Sequence, residues 1–225
     1  MLSIIMPTLN ASAHLPQSLS ALVPGVLDGL VRELVVVDGG SSDATLIIVE
    51  DAGARVINCA PGRGVQLQTG GKQAKSDWLL FVHADTVLAE DWVGEVETFI
   101  KNRNKQRAGV FRFALDDRRK RARILEMIVR VRCKLFALPY GDQGLLISRT
   151  LYDEIGGFKN LVLMEDVDII SRIGRKRLHY FQTTATTSAE RYKHEGYIAR
   201  VARNARCLAM WYAGVKPEKI LGKYQ

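Results

Sequence analysis

The sequence predicts an α/β protein, a mostly parallel sheet with helices packed on both faces. Short apolar runs alternate with segments of helical period through the first 85 residues, as successive strand and helix units do. Several runs, among them Leu2 to Met6 and Trp78 to Val82, are apolar throughout, as strands covered on both faces require. With 225 residues, 47% of them hydrophobic and 25% charged, the chain can bury a core and is neither disordered nor fibrous in composition.

Taken in order, Leu2 to Met6 is a buried strand, and Ser12 to Leu30 carries leucines and valines at helical spacing, with Pro24 expected to kink or break it. Glu33 to Val37 is a second strand, ending in Asp38-Gly39-Gly40-Ser41-Ser42-Asp43, a turn and helix cap before the helix Thr45 to Ala52. A third strand, Ala54 to Cys59, runs into the loop Pro61 to Gly64. The segment Gln66 to Lys75 reads as a helix despite Gly70 and Gly71, and Trp78 to Val82 is a fourth strand, ending at His83-Ala84-Asp85-Thr86.

The second half is less regular. Gly109 to Leu115 reads as a strand, followed by a basic amphipathic helix near Arg118 to Phe136, a turn-rich loop from Leu138 to Gly144, and the strand Leu145 to Ser148. Ile155 to Phe158 is a tight turn. Met164-Glu165-Asp166-Val167-Asp168 opens a helix that Gly174 ends, and Lys216 to Gln225 is a polar tail. No linker separates the halves, so one domain is expected.

Charge is concentrated. Residues 101 to 134 hold thirteen Lys and Arg against three acids, a net +10, and the remaining residues sum to −2. A local anionic partner is expected, phosphates or lipid headgroups, and no specific nucleic acid. Cys59, Cys133 and Cys207 are odd in number, far apart and without a C-x-x-C pair, as for thiols in a reducing compartment. The start MLSIIMPTLN lacks a basic leader and a long apolar run. The expectation is a cytoplasmic protein, with peripheral contact at the inner face of the plasma membrane through the basic segment.

In open parallel sheets, ligands bind outside the carboxyl ends of the strands. Here Pro7-Thr8-Leu9-Asn10, Asp38, Gly62-Arg63-Gly64 and Asp85 follow the four strands in turn. Neither G-x-G-x-x-G nor a P-loop is present, so a nicotinamide, flavin or P-loop nucleotide site is not expected.

Met6 to Asn10, Val36 to Asp43, the acid after the fourth strand and Glu165-Asp166 occur in an order and spacing that resembles the inverting glycosyltransferase family 2. His83-Ala84-Asp85-Thr86, Pro139-Tyr140-Gly141-Asp142-Gln143-Gly144 and Met164-Glu165-Asp166 are similar to those of a bacterial subgroup of small single-domain transferases. The resemblance implies a GT-A-like, Rossmann-like sheet, with about residues 1–105 binding the nucleotide sugar and about 106–225 supplying the acceptor side and the base. It implies a nucleoside-diphosphate sugar donor met by Pro7, Thr8, Asn10, Asp38 and His83, with Thr8 and Asp38 at base and ribose. Asp85 would hold a divalent metal, Mn²⁺ or Mg²⁺. Gly141, Asp142, Gln143 and Glu165 would lie toward an unknown acceptor, lipid-linked in one reading, and Asp166 would be the catalytic base.

Two residues depart from the family pattern: Ala11 stands where Glu is common, and His83 replaces the first acid of D-x-D. Imidazole ligates Mn²⁺, whereas Mg²⁺ prefers oxygen. Independently of the resemblance, Arg63 beside a glycine-rich turn, or Arg191, supplies fixed positive charge for phosphates. Arg191-Tyr192 is similar to the Q-x-x-R-W element of processive members but lacks its Gln and Trp. Sugar nucleotidyl transfer and non-catalytic nucleotide-sugar binding at a membrane are the competing expectations.

Overall fold

The structure, a computed structural model, describes residues 1–102 and 105–224. Its first half alternates as the sequence predicts: β1 (Leu2–Thr8), α1 (Leu15–Leu27), β2 (Val31–Asp38), α2 (Thr45–Asp51), β3 (Arg55–Asn58), α3 (Arg63–Gln73) and β4 (Trp78–Phe81). Then follow β5 (Thr86–Leu88), α4 (Trp92–Lys101), β6 (Ala108–Leu115), α5 (Lys120–Phe136), a 3₁₀ turn at Gly141–Gln143, and β7 (Leu145–Ser148). The chain closes with α6 (Arg149–Glu154), α7 (Glu165–Ile173), β8 (Leu178–Thr187), α8 (Glu190–Glu195), α9 (Tyr197–Tyr212) and α10 (Pro217–Tyr224).

One eight-stranded sheet runs in the order β3-β2-β1-β4-β7-β6-β8-β5. β3, β2, β1 and β4 are parallel to their neighbours, as are β6 and β8, whereas β7 is antiparallel to β4 and β6, and β5 to β8. Alternate side chains explain the uninterrupted apolar runs. Ile5, Val35, Val37, Leu79 and Phe81 pack on one face under Leu67 of α3, Leu151 of α6 and Val167 of α7. Ile4, Met6, Val36, Leu80 and Val82 pack on the other under Leu15 of α1, Val49 of α2 and Trp92 of α4. Both faces are therefore covered.

Three local expectations change. α1 passes through Pro24 unbroken, because the ring removes a single intrahelical donor near the helix end while Leu15, Ser18, Leu22 and Gly25 stay buried against the core. α3 starts at Arg63 instead of Gln66, since Gly62 at φ 144° turns the chain straight into the helix. The tail is the helix α10, docked by the fully buried Ile220.

Gly70 and Gly71 sit in α3 because the helix lies close on its neighbours. A Cβ on Gly70 would stand 2.3 Å from Ile5 Cγ2, and one on Gly71 would stand 2.3 Å from the Tyr152 hydroxyl oxygen. Gly70→Ala is expected to destabilise the fold by about 1–3 kcal/mol, read as a lower urea midpoint; an unchanged midpoint would mean that α3 does not lie this close to β1.

Candidate active site

The chain adds β2 and β3 on one side of β1 and then returns to place β4 on the other. The β1/β4 junction is thus the point where strand order reverses, the position at which open α/β sheets bind ligands. A cavity of about 460 Å³ opens there, and Pro7, Thr8 and Asn10 from the end of β1 and His83 and Asp85 from beyond β4 line it. Arg63 of α3 lines it too, and the second half brings Gly141, Asp142, Glu165 and Asp166 to the same space.

Asp38 and Gln143, expected at the nucleoside and on the acceptor side, are not in that lining. Register pairs Thr8 with Asp38, so the buried carboxylate turns sideways instead of into the cavity. It accepts from the Thr8 hydroxyl (2.9 Å), the Ser41 hydroxyl (2.5 Å) and the N–H groups of Gly40 (2.8 Å) and Ser41 (2.7 Å). Burial alone would raise its pKa, but these hydrogen bonds outweigh burial and hold it below the ordinary carboxylate value. Asp38 therefore positions the β1 and β2 ends. Asn10, left-handed at φ 49°, completes the clasp: its N–H donates to Ser41 Oγ (2.8 Å) and its Oδ1 accepts from Ser42 N–H (2.9 Å). Gln143 is buried under α5, donating to the Phe111 carbonyl (2.8 Å) and accepting from the Cys133 thiol (3.3 Å). It holds the Gly141–Gln143 turn from behind.

Opposite β1, Met164 adopts the left-handed conformation at φ 66°, which starts α7 with Glu165 and Asp166 at its N-terminus, where the helix dipole favours negative charge. Asp166 Oδ2 accepts from Gly141 N–H (2.9 Å) and Oδ1 from Val167 N–H (2.8 Å). Asp168 is turned away and neutralised by Lys159 (3.0 Å) and Arg172 (2.5 Å). Glu165 is buried with its carboxylate 3.6 Å from the Arg63 guanidinium. Desolvation, and then the neighbouring Asp166, raise its pKa to about 7.

His83 packs against the backbone of Gly141: a Cβ there would lie 2.9 Å from the imidazole. Desolvation, with Arg63 adding to it, lowers the His83 pKa to about 4, so the ring is neutral at pH 7. Asp142 is pushed up to about 6, chiefly by desolvation, and its Oδ1 is buried without a hydrogen-bond partner. That atom is the member of the cavity lining left unsatisfied among the described residues, and a bound cation or hydroxyl would satisfy it.

Sequence reading missed part of the wall. Gln66 lines the cavity and ties the strand ends together, donating to the carbonyls of Thr8 (2.7 Å) and Val37 (2.8 Å). Tyr192, Arg200, Asn204 and Tyr224 close the far side beside Arg191. Arg200 is buried between Glu195 (3.2 Å) and the Tyr224 hydroxyl, so α10 forms part of the wall. A tyrosine four residues after the apolar Ile220 was the available signal. His194, by contrast, is exposed, and Trp78 and Trp92 are core residues.

Two carboxyls with raised pKa values give the metal-free protein a pH signature. Glu165 and Asp142 titrate higher folded than unfolded, so they favour folding below their unfolded pKa values, and that contribution is lost as pH rises through about 6 and about 7. Thermal midpoints measured in EDTA are expected to fall across that window in the wild type and to flatten in Glu165→Gln/Asp142→Asn; an equally steep fall in the variant would contradict the assignment.

The family model for Glycosyl transferase family 2 matches residues 3–160. Over 114 residues the chain is 40% identical to the PGL/p-HBAD biosynthesis glycosyltransferase of Mycobacterium tuberculosis, covering 44% of this chain and 41% of the relative. Over 95 residues it is 32% identical to the glucosyl-3-phosphoglycerate synthase of the same organism, covering 38% and 29%. It thus spans less than half the length of the curated relatives it matches. Among solved structures, S. aureus TarS 1-349 superposes with a TM-score of 0.66 at 18% identity, covering 99% of this chain and 70% of that one. The M. tuberculosis synthase in complex with Mn²⁺, UDP and glucosyl-3-phosphoglycerate superposes with a TM-score of 0.58 at 22% identity, covering 84% and 70%. The sheet with its strand-end cavity is the GT-A fold, and with the family model running from β1 past the 3₁₀ turn and β7, the chain belongs to glycosyl transferase family 2.

Proposed function

We propose that this protein transfers a sugar from a nucleoside-diphosphate sugar to an acceptor hydroxyl, with inversion at the anomeric carbon and with a divalent metal. The observation that carries the reading is the meeting of Asp85, from beyond β4, and Asp166, from the start of α7, across one cavity at the switch point of the sheet. Leaving-group stabilisation and proton removal are the two demands of such a transfer, and each half of the chain supplies one carboxylate.

The donor set fits a metal of this kind. Among the described residues no group of three or more His, Cys, Asp or Glu side chains forms a closed cage. Carboxylate oxygens facing an open cavity suit a hard cation that shares its coordination with phosphate oxygens and water. Asp85 would hold it, and when bound the ion would neutralise charge developing on the diphosphate. Solved structures of the M. tuberculosis synthase contain Mn²⁺ and UDP, and TarS has been solved with UDP-GlcNAc, which supports a uridine diphosphate donor here.

Thr8, Asn10 and Pro7 form the nucleoside end, held by the Asp38 clasp, and Arg63 adds positive charge toward the phosphates, its own carboxylate partner being Glu165. Asp166, fixed by two backbone N–H groups, takes the proton of the acceptor hydroxyl as the acceptor oxygen bonds to the anomeric carbon. The bond from that carbon to the diphosphate oxygen breaks with its electron pair leaving on the diphosphate, so the configuration inverts. Asp142 and the Gly141 loop face the acceptor.

Incubation with a panel of nucleoside-diphosphate sugars and Mn²⁺ tests this. Release of nucleoside diphosphate and a glycoside of inverted configuration is expected. Pyrophosphate from a nucleoside triphosphate and a sugar phosphate would establish nucleotidyl transfer instead, and tight donor binding with no turnover on any acceptor would establish a binding module.

A further inference from the structure

We propose that α5 docks the protein on an anionic lipid surface through its outer face. The helix carries two apolar stripes. Ala122, Leu125, Val129 and Cys133 are buried against Phe113, Leu115 and Tyr197. Ile124, Met127, Ile128, Val131 and Leu135, spaced three and four apart, lie on the opposite side of the helix and are 46–57% exposed. A helix that only covers the sheet needs the first stripe and not the second.

Basic residues border the outer stripe. At 100° per residue, Arg121 falls along one edge and Arg130 and Lys134 along the other. Among the described residues the side chains of these three make no ion pair. The three acids of the segment are occupied: Asp116 caps Ala189 N–H, Asp117 holds Arg119 and Tyr197, and Glu126 holds Arg123. Arg121, Arg130 and Lys134 are exposed, so their positive charge faces solvent beside the apolar strip. An apolar stripe flanked by cations is the pattern of helices that lie in a bilayer interface. No helix among the described residues is long and apolar enough to cross a membrane, which leaves the interfacial orientation for α5.

Charge selects the occupant. A second copy of this face would set the basic rows of α5 against each other while burying the stripe, where like charges repel strongly. An anionic headgroup layer accepts the stripe and the rows together. The surface also adjoins the cavity: Arg132 of α5 stacks 3.5 Å over the ring of Tyr140, a cavity-lining residue.

Sedimentation with sucrose-loaded vesicles tests the proposal independently of any transfer reaction. Binding to vesicles containing phosphatidylglycerol is expected at low salt, with little binding to pure phosphatidylcholine and release as salt screens the charges. Arg121→Gln/Arg130→Gln/Lys134→Gln should weaken partitioning about a hundredfold, at roughly fivefold per cation, and Ile128→Ser/Val131→Ser should weaken it as well. All five side chains lie on the surface, so wild-type melting temperatures are expected, and the lipid and salt dependence of the wild type stands as a test without any variant. Equal binding to neutral and anionic vesicles, no binding at low salt, or a dimer by light scattering that Ile128→Ser/Val131→Ser dissociates would each overturn it, as would tighter binding to a DNA duplex than to the anionic vesicles.

Discussion

Asp166→Asn is expected to bind the nucleoside diphosphate as tightly as the wild type and to turn over about 10² to 10⁴-fold more slowly, the usual consequence of losing a positioned base. The substitution is nearly isosteric. Its amide oxygen can still accept the Gly141 N–H that Oδ2 accepts at 2.9 Å, and it gives up the bond from Val167 N–H that Oδ1 accepts at 2.8 Å, so the cavity rim stays tied to α7 by one bond while the proton acceptor is lost. Calorimetric titration separates the two effects from turnover, read as nucleoside diphosphate release. Asp168→Asn is the control: its carboxylate is paired with Lys159 and Arg172 away from the cavity, so it is expected to cost stability and leave the chemical step intact. Near-normal turnover by Asp166→Asn, or a product that keeps the donor's anomeric configuration, would contradict its role as base.

Asp85→Ala is expected to remove the metal-dependent part of donor affinity and to lower turnover by roughly 10² to 10³-fold, the cost of one lost electrostatic contact to a developing anion. Asp85 lies in the turn between β4 and β5 and shares the cavity with His83, whose neutral ring adds no compensating charge. Mn²⁺ should therefore raise the affinity of the wild type for UDP and leave that of the variant unchanged. His83→Asp is the informative companion, because a carboxylate there restores the family's D-x-D pattern; it is expected to strengthen Mg²⁺-supported binding, since Mg²⁺ takes oxygen donors. An Asp85→Ala protein that still binds UDP more tightly with Mn²⁺ would place the metal elsewhere.

What the sequence made legible follows from burial. β1, β2 and β4 lie between two helical layers, so their apolar runs are continuous, and the polar residues ending them could be placed on one edge before any coordinates. β8 gave no such signal, because its inward positions include Thr183, Ala185 and Thr187, residues common in loops. α10 was hidden in a polar stretch in which Ile220 is the buried residue and Tyr224 reaches the cavity. The site residues show the same limit. Residue type and strand-end position located Asp38, but its direction depends on the β1/β2 register, which sets it beside Thr8 and spends its oxygens on the clasp. The burial of Gln143 was equally out of reach, since the Cys133 thiol and Phe111 carbonyl that hold it come from α5 and β6. Arg200, Asn204 and Tyr224 reach the cavity through the packing of α9 on α10, a long-range contact whose trace in the sequence is limited to Tyr224 lying one helical turn after Ile220.

The most direct measurement is a crystal structure grown with UDP and Mn²⁺, with anomalous data collected at the manganese edge. The expected result is uridine beside Thr8 and Asn10 at the end of β1, the diphosphate toward Arg63, and a single manganese peak bound by an Asp85 carboxylate oxygen. Nucleotide density outside the β1/β4 junction, or manganese bound without Asp85, would contradict the assignment of this cavity as the donor site.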